Sequence, residues 1–144
     1  MKPAALILLA LAVFSMNARA DGDRIWSALV LATRENPPKP VPEGLKDVAP
    51  AIKRVFGYSS LYLLGEKKRD LVSGGEEWLV PSREFFFKVQ CLAREETFYQ
   101  LRIELYRAEK LLLTTEVQLA REAPLYIRGP MWGEGQLIFL FEVR

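Results

Sequence analysis

Alternation of apolar and polar residues dominates the second half of the chain. Tyr99, Leu101, Ile103 and Leu105 alternate with Gln100, Arg102, Glu104 and Tyr106. Beyond Arg107-Ala108-Glu109-Lys110, the residues Leu111, Leu113, Thr115, Val117 and Leu119 alternate with Leu112, Thr114, Glu116 and Gln118. A period of two over both stretches predicts a hairpin with one buried face and one wet face. The preceding segment, Arg83 to Leu92, reads as a long strand on which Phe85, Phe87, Val89 and Cys91 share one side. That register places Cys91 on the apolar face and predicts a buried, inert thiol.

The flanking segments carry different signals. Leu45, Val48, Ala49, Ile52, Val55 and Phe56 recur at helical spacing, with Lys46, Asp47, Lys53 and Arg54 on the other side. They predict a leading helix over 43–56 that stops at Gly57 and is kinked or split at Pro50, where the second part begins. Ile25 to Ala32 is almost wholly apolar, so periodicity does not separate a strand from a buried helix; a strand is preferred. Between these lies Pro37-Pro38-Lys39-Pro40-Val41-Pro42, which predicts an extended connector poor in backbone donors. Tyr58 to Leu64 suits a pleated surface. Lys67 to Val72 and Glu76 to Val80 flank Ser73-Gly74-Gly75, which predicts a tight hairpin. Lys67-Lys68-Arg69 fits a solvated turn or a charged sheet edge.

At the C-terminal end, Pro124 to Arg128 reads as a short strand and Gly129-Pro130-Met131-Trp132-Gly133-Glu134-Gly135 as a loop. Gln136 to Val143 is apolar on both faces. A strand of that kind sits centrally or is covered on its second side, which places it under the helix or beside the N-terminal segment. Turn signals recur every ten or so residues after Gly57. The fold expected is mainly β, an antiparallel β-sandwich or small barrel of about seven to nine strands with one short N-terminal helix packed on it.

The first 20 residues stand apart from this pattern. Lys2 precedes an unbroken apolar run from Ala4 to Phe14, and Ala18-Arg19-Ala20 forms a small-x-small site. This is the pattern of a cleaved export signal, too short for a comfortable membrane span. The expected organisation is a signal peptide at 1–20, a strand-like segment and Pro-rich connector at 21–42, and a β-domain at 43–144. Export implies a periplasmic or extracellular location with no membrane insertion after cleavage.

Charge and composition then narrow the chemistry. The 144 residues carry 20 basic and 18 acidic side chains. Lys2 and Arg19 would leave with the signal, and the mature chain would be neutral, a poor match to nucleic acid. There is no histidine and one cysteine. Ser-His-Asp and Cys-His catalysis and Cys/His zinc sites are therefore excluded in their usual form. Asp21-Gly22-Asp23 is only a fragment of a calcium loop, and no metal or cofactor is expected. The many carboxylates fall mainly at turns and on wet faces, so a glycosidase-like pair is the weakest reading.

The most distinctive stretch is 129–135. Met131 and Trp132 are residue types that favour binding surfaces, and Gly129, Pro130 and Gly133 would shape the backbone that presents them. These five residues form the expected partner-binding site. The functional expectation is an exported, non-enzymatic β-domain that binds another envelope or extracellular protein, or serves as a structural component of a bacterial envelope. The alternative is a carrier that holds a small apolar ligand in a barrel lined by Tyr58, Tyr62, Phe85, Phe87, Phe139 and Phe141.

Overall fold

The computed structural model describes residues 23–72, 74–79 and 82–144. The export segment 1–20 and its cleavage site lie outside them, as do Asp21, Gly22, Ser73, Val80 and Pro81. Among the described residues there are eight strands: β1 (Arg24–Thr33), β2 (Ser60–Asp70), β3 (Glu76–Leu79), β4 (Phe85–Arg94), β5 (Phe98–Arg107), β6 (Lys110–Ala120), β7 (Leu125–Trp132) and β8 (Gly135–Val143). Between β1 and β2 come a 3-10 turn, Glu43–Leu45, and the helix α1 (Ala49–Phe56). Pro50 lies in the first turn of α1, where its missing N–H costs nothing, and Gly57 closes the helix with a left-handed φ of 73°.

The strands form two antiparallel sheets, ordered β2-β1-β8-β7 and β3-β4-β5-β6. They stack as a sandwich and do not close into a barrel. Side-chain alternation decides which residues meet between them. Ile25 and Leu29 of β1 and Leu137, Phe139, Phe141 and Val143 of β8 face Phe85, Phe87, Val89, Cys91, Leu101, Ile103 and Leu105 of the second sheet. Phe87 touches Phe139 and Phe141 edge-on, with ring centroids 5.0 and 4.5 Å apart.

The opposite face of the first sheet is buried as well. Trp26, Ala28, Val30 and Ala32 of β1 and Ile138 and Leu140 of β8 pack under Leu45, Val48, Ala49 and Ile52. The helix and its approach thus add a third layer. This is why β1 and β8 are apolar on both faces and why they sit in the centre of their sheet. The segment before residue 43 supplies a central strand of the sandwich, and the Pro-rich stretch runs back over that sheet, with the Lys39 amide donating to Ser60 Oγ at 2.9 Å.

One turn expectation is corrected. Gly74-Gly75 does not close a hairpin: β2 pairs with β1 and β3 with β4, so the segment crosses from one sheet to the other. Gly74 takes a φ of 74°, and the Gly74 and Cys91 amides bond across to the Cys91 and Gly75 carbonyls. Lys67-Lys68-Arg69 lies on β2, the outer strand of its sheet, where cations obstruct further pairing.

Candidate functional site

Residues 129–132 are not a loop. They complete β7, and only Gly133-Glu134 turns the chain into β8, with Gly133 at a φ of 61°. The register slips between Arg128 and Met131, so Gly129 and Pro130 form a bulge opposite Leu137. Proline is tolerated there because β7 is an edge strand and needs no outward N–H. Gly129 serves close packing: a Cβ would lie 2.5 Å from the Phe139 ring. Buried Gln136 closes the bulge, its side-chain amide donating to the Gly129 carbonyl at 2.5 Å and to the Leu137 carbonyl at 3.0 Å.

This hairpin holds the two expected binding residues on regular backbone. Met131 is 58% exposed and Trp132 41% exposed. The remainder of Trp132 is packed. Its ring meets the buried Phe85 ring edge-on at 6.3 Å, and the Arg107 guanidinium lies 5.6 Å from both ring centroids. Glu84 holds Arg107 in place at 2.5 Å. Beside Trp132 a surface recess of about 170 Å³ opens between the sheets, lined by Leu29, Leu64, Phe85 and Leu137, with Ser82, Arg83 and Glu84 at its rim. Leu64 is the extra residue of a bulge in β2. Leu111 and Leu112, also exposed, begin β6 at the same pole, next to Arg107. Five of the seven exposed large hydrophobic side chains among the described residues are thus gathered at one end of the sandwich. Exposed apolar side chains scattered singly need no explanation, but several at one pole, with Leu64 and Trp132 lining a recess, are a form that docking sites take.

Several carboxylates are held by neighbours: Glu66 accepts from Trp26 Nε1 at 3.0 Å, Glu116 from Arg102 at 2.7 Å, Glu35 from the Tyr62 hydroxyl at 2.6 Å, and Lys88 bridges Glu76 and Glu104. Among the described residues no group of three His, Cys, Asp or Glu side chains is placed to hold a metal ion. The aromatics expected to line a carrier cavity do not share one interior. Tyr58 packs in the layer under the helix, and the Tyr62 hydroxyl is held by Glu35. The four phenylalanines touch one another and fill the space between the sheets.

Two polar clusters had no clear signal in the sequence. Asp23, just before β1, accepts from the Tyr99 hydroxyl of β5 and from Arg121 Nη2 at 2.6 Å, which ties both sheets together at the pole opposite Trp132. The Arg121 hydrogen bond holds the Asp23 carboxyl below its usual range, and burial beside that carboxylate pushes the Tyr99 phenol up. At Trp26, fully buried, Arg144 lies 4.0 Å over the indole ring while Glu66 takes its N–H. Neither pairing could be read from residues separated by so much chain. Cys91 is buried between the sheets with its thiol pKa raised by desolvation, and it forms no disulfide. Among the described residues, no helix is long and apolar enough to cross a membrane. No protein-family model matches the chain, and neither does any curated protein or solved structure.

Proposed function

We propose that this is an exported, non-enzymatic interaction domain that binds another envelope or extracellular protein through its Trp132 pole. The observation that carries the reading is the half-exposed Trp132 on the β7–β8 hairpin, beside an apolar recess and the exposed Met131. A tryptophan anchored on one side by Phe85 and Arg107 is pre-organised, so docking costs little side-chain entropy. The recess has room for an apolar side chain of the partner, and the Arg107–Glu84 pair beside Trp132 gives it a polar rim.

The export reading rests on the N-terminal pattern of Lys2, the run Ala4 to Phe14 and Ala18-Arg19-Ala20. The test is capture of partners from the cell's own envelope fraction by the mature domain, compared with Met131→Glu and Trp132→Ala. A protein retained by the parent and by Val72→Glu, which alters an exposed residue elsewhere, but lost from both pole variants is the expected result. Equal capture by all four forms would sink the reading.

A further inference from the structure

We infer that two copies of this chain pair through β6, joining their second sheets edge to edge into one continuous antiparallel sheet. The inference starts from how the four sheet edges are finished. An open edge strand invites pairing unless it is short, bulged, charged or interrupted by proline. Two edges carry such features, Lys67-Lys68-Arg69 and a bulge on β2, and Pro130 and a bulge on β7, and β3 is four residues long over the described residues. The fourth, β6, is eleven residues long, is bulged only at Leu112 beside its hairpin turn, and carries only Lys110 and Glu116 as charges. From Leu113 to Ala120 its register with β5 runs without interruption, and among the described residues no strand pairs with its other side. Glu116 does not guard this edge, because its carboxylate is turned across the sheet to Arg102 at 2.7 and 3.2 Å.

The strand is complementary to itself in one register. A two-fold axis at Thr115 sets Leu113 opposite Val117 of the second copy, and Thr115 opposite its own counterpart. Glu116 then faces Thr114 of the second copy. Moving the axis to Glu116 would set two carboxylates directly opposite, and moving it to Thr114 would set Leu112 against Glu116. Leu113 and Val117 are only partly buried at the rim of the core, and such a pairing would extend the apolar layer over them. The formal net charge of +2 opposes the approach of a second copy only weakly.

Sedimentation velocity on the parent protein is the first test, with a concentration-dependent dimer expected. A species that stays monomeric up to its solubility limit overturns the inference. The register is tested by Thr115→Cys under mild oxidation. Residues directly opposite on antiparallel strands have Cα atoms about 4.5–5.5 Å apart, within disulfide reach. Thr115→Cys should give a covalent dimer, while Gln118→Cys and the parent, whose Cys91 is buried, should not. Thr115→Lys, which places like charges opposite one another, should weaken the dimer at least ten-fold with its circular dichroism spectrum unchanged. A dimer that ignores Thr115→Lys, or one that is lost in Trp132→Ala instead, would contradict pairing through β6 and assign self-association to the other pole.

Discussion

Single side chains show where this fold is under tension and where it is tied. Ser27 is fully buried on β1 between Ile25 and Leu29, and among the described residues its hydroxyl has no hydrogen-bond partner. An unpaired buried polar group costs about 1–3 kcal/mol, so Ser27→Ala should leave stability unchanged or raise it by about 1 kcal/mol, read from the chemical-denaturation midpoint. A loss of more than that would mean the hydroxyl has a partner after all. Asp23 behaves in the opposite way. Its carboxylate is favoured in the folded state by Arg121, with a pKa lowered from 3.8. A group depressed on folding stabilises above its unfolded pKa and loses that contribution as the pH falls through the folded one. Stability should therefore decline below about pH 4. Asp23→Asn should lower stability at neutral pH and flatten the acid limb of a pH titration of the melting temperature. Unchanged acid sensitivity would show that other carboxylates set it. Tyr99 acts at the other end: its phenol pKa is raised above 10, so its contribution is complete below that pH and fades above it.

At the scale of elements, the β5–β6 hairpin offers a conformational test. Its turn is Ala108-Glu109, and Ala108 has a φ of 51°. An L-residue other than Gly, Asn or Asp pays roughly 1–2 kcal/mol for that conformation. Ala108→Gly should thus raise stability by about 1 kcal/mol in thermal unfolding, since relief of strain exceeds the added chain entropy. No gain would indicate that the turn relaxes at no cost. This hairpin was also among the most legible parts of the sequence, because one buried and one wet face leave a clean alternation at Tyr99 to Leu105. The double-sided apolarity of Leu137 to Val143 likewise revealed a central strand covered by the helix. Two elements were misread for physical reasons. Gly74-Gly75 is a local turn signal, but whether the flanking strands pair with each other or enter different sheets depends on which distant strand covers them. Gly129-Pro130 looked like loop punctuation, although glycine is required there by the Phe139 ring and proline is harmless at an edge bulge. Ile25 to Ala32 was ambiguous because burial on both faces erases periodicity.

At the scale of the molecule, burial and exposure are divided between two ends and three layers. The helix closes the outer face of one sheet, the sheets close on each other, and five of the seven exposed large hydrophobic side chains among the described residues lie at the Trp132 pole. The expected binding residues were legible by type, but the recess beside them was not, since Leu29, Leu64, Phe85 and Leu137 come from four strands. The central claim is that Trp132 serves binding more than folding. The most direct measurement is the equilibrium affinity of Trp132→Ala for the captured partner, set beside its unfolding free energy. Trp132 is packed over little more than half its surface, so the substitution should cost about 1–2 kcal/mol of stability. It should cost at least about 2 kcal/mol of binding, a roughly thirty-fold weaker Kd. Unchanged affinity together with a stability loss of about 3–5 kcal/mol, the range for a buried tryptophan, would contradict the account and make Trp132 a core residue.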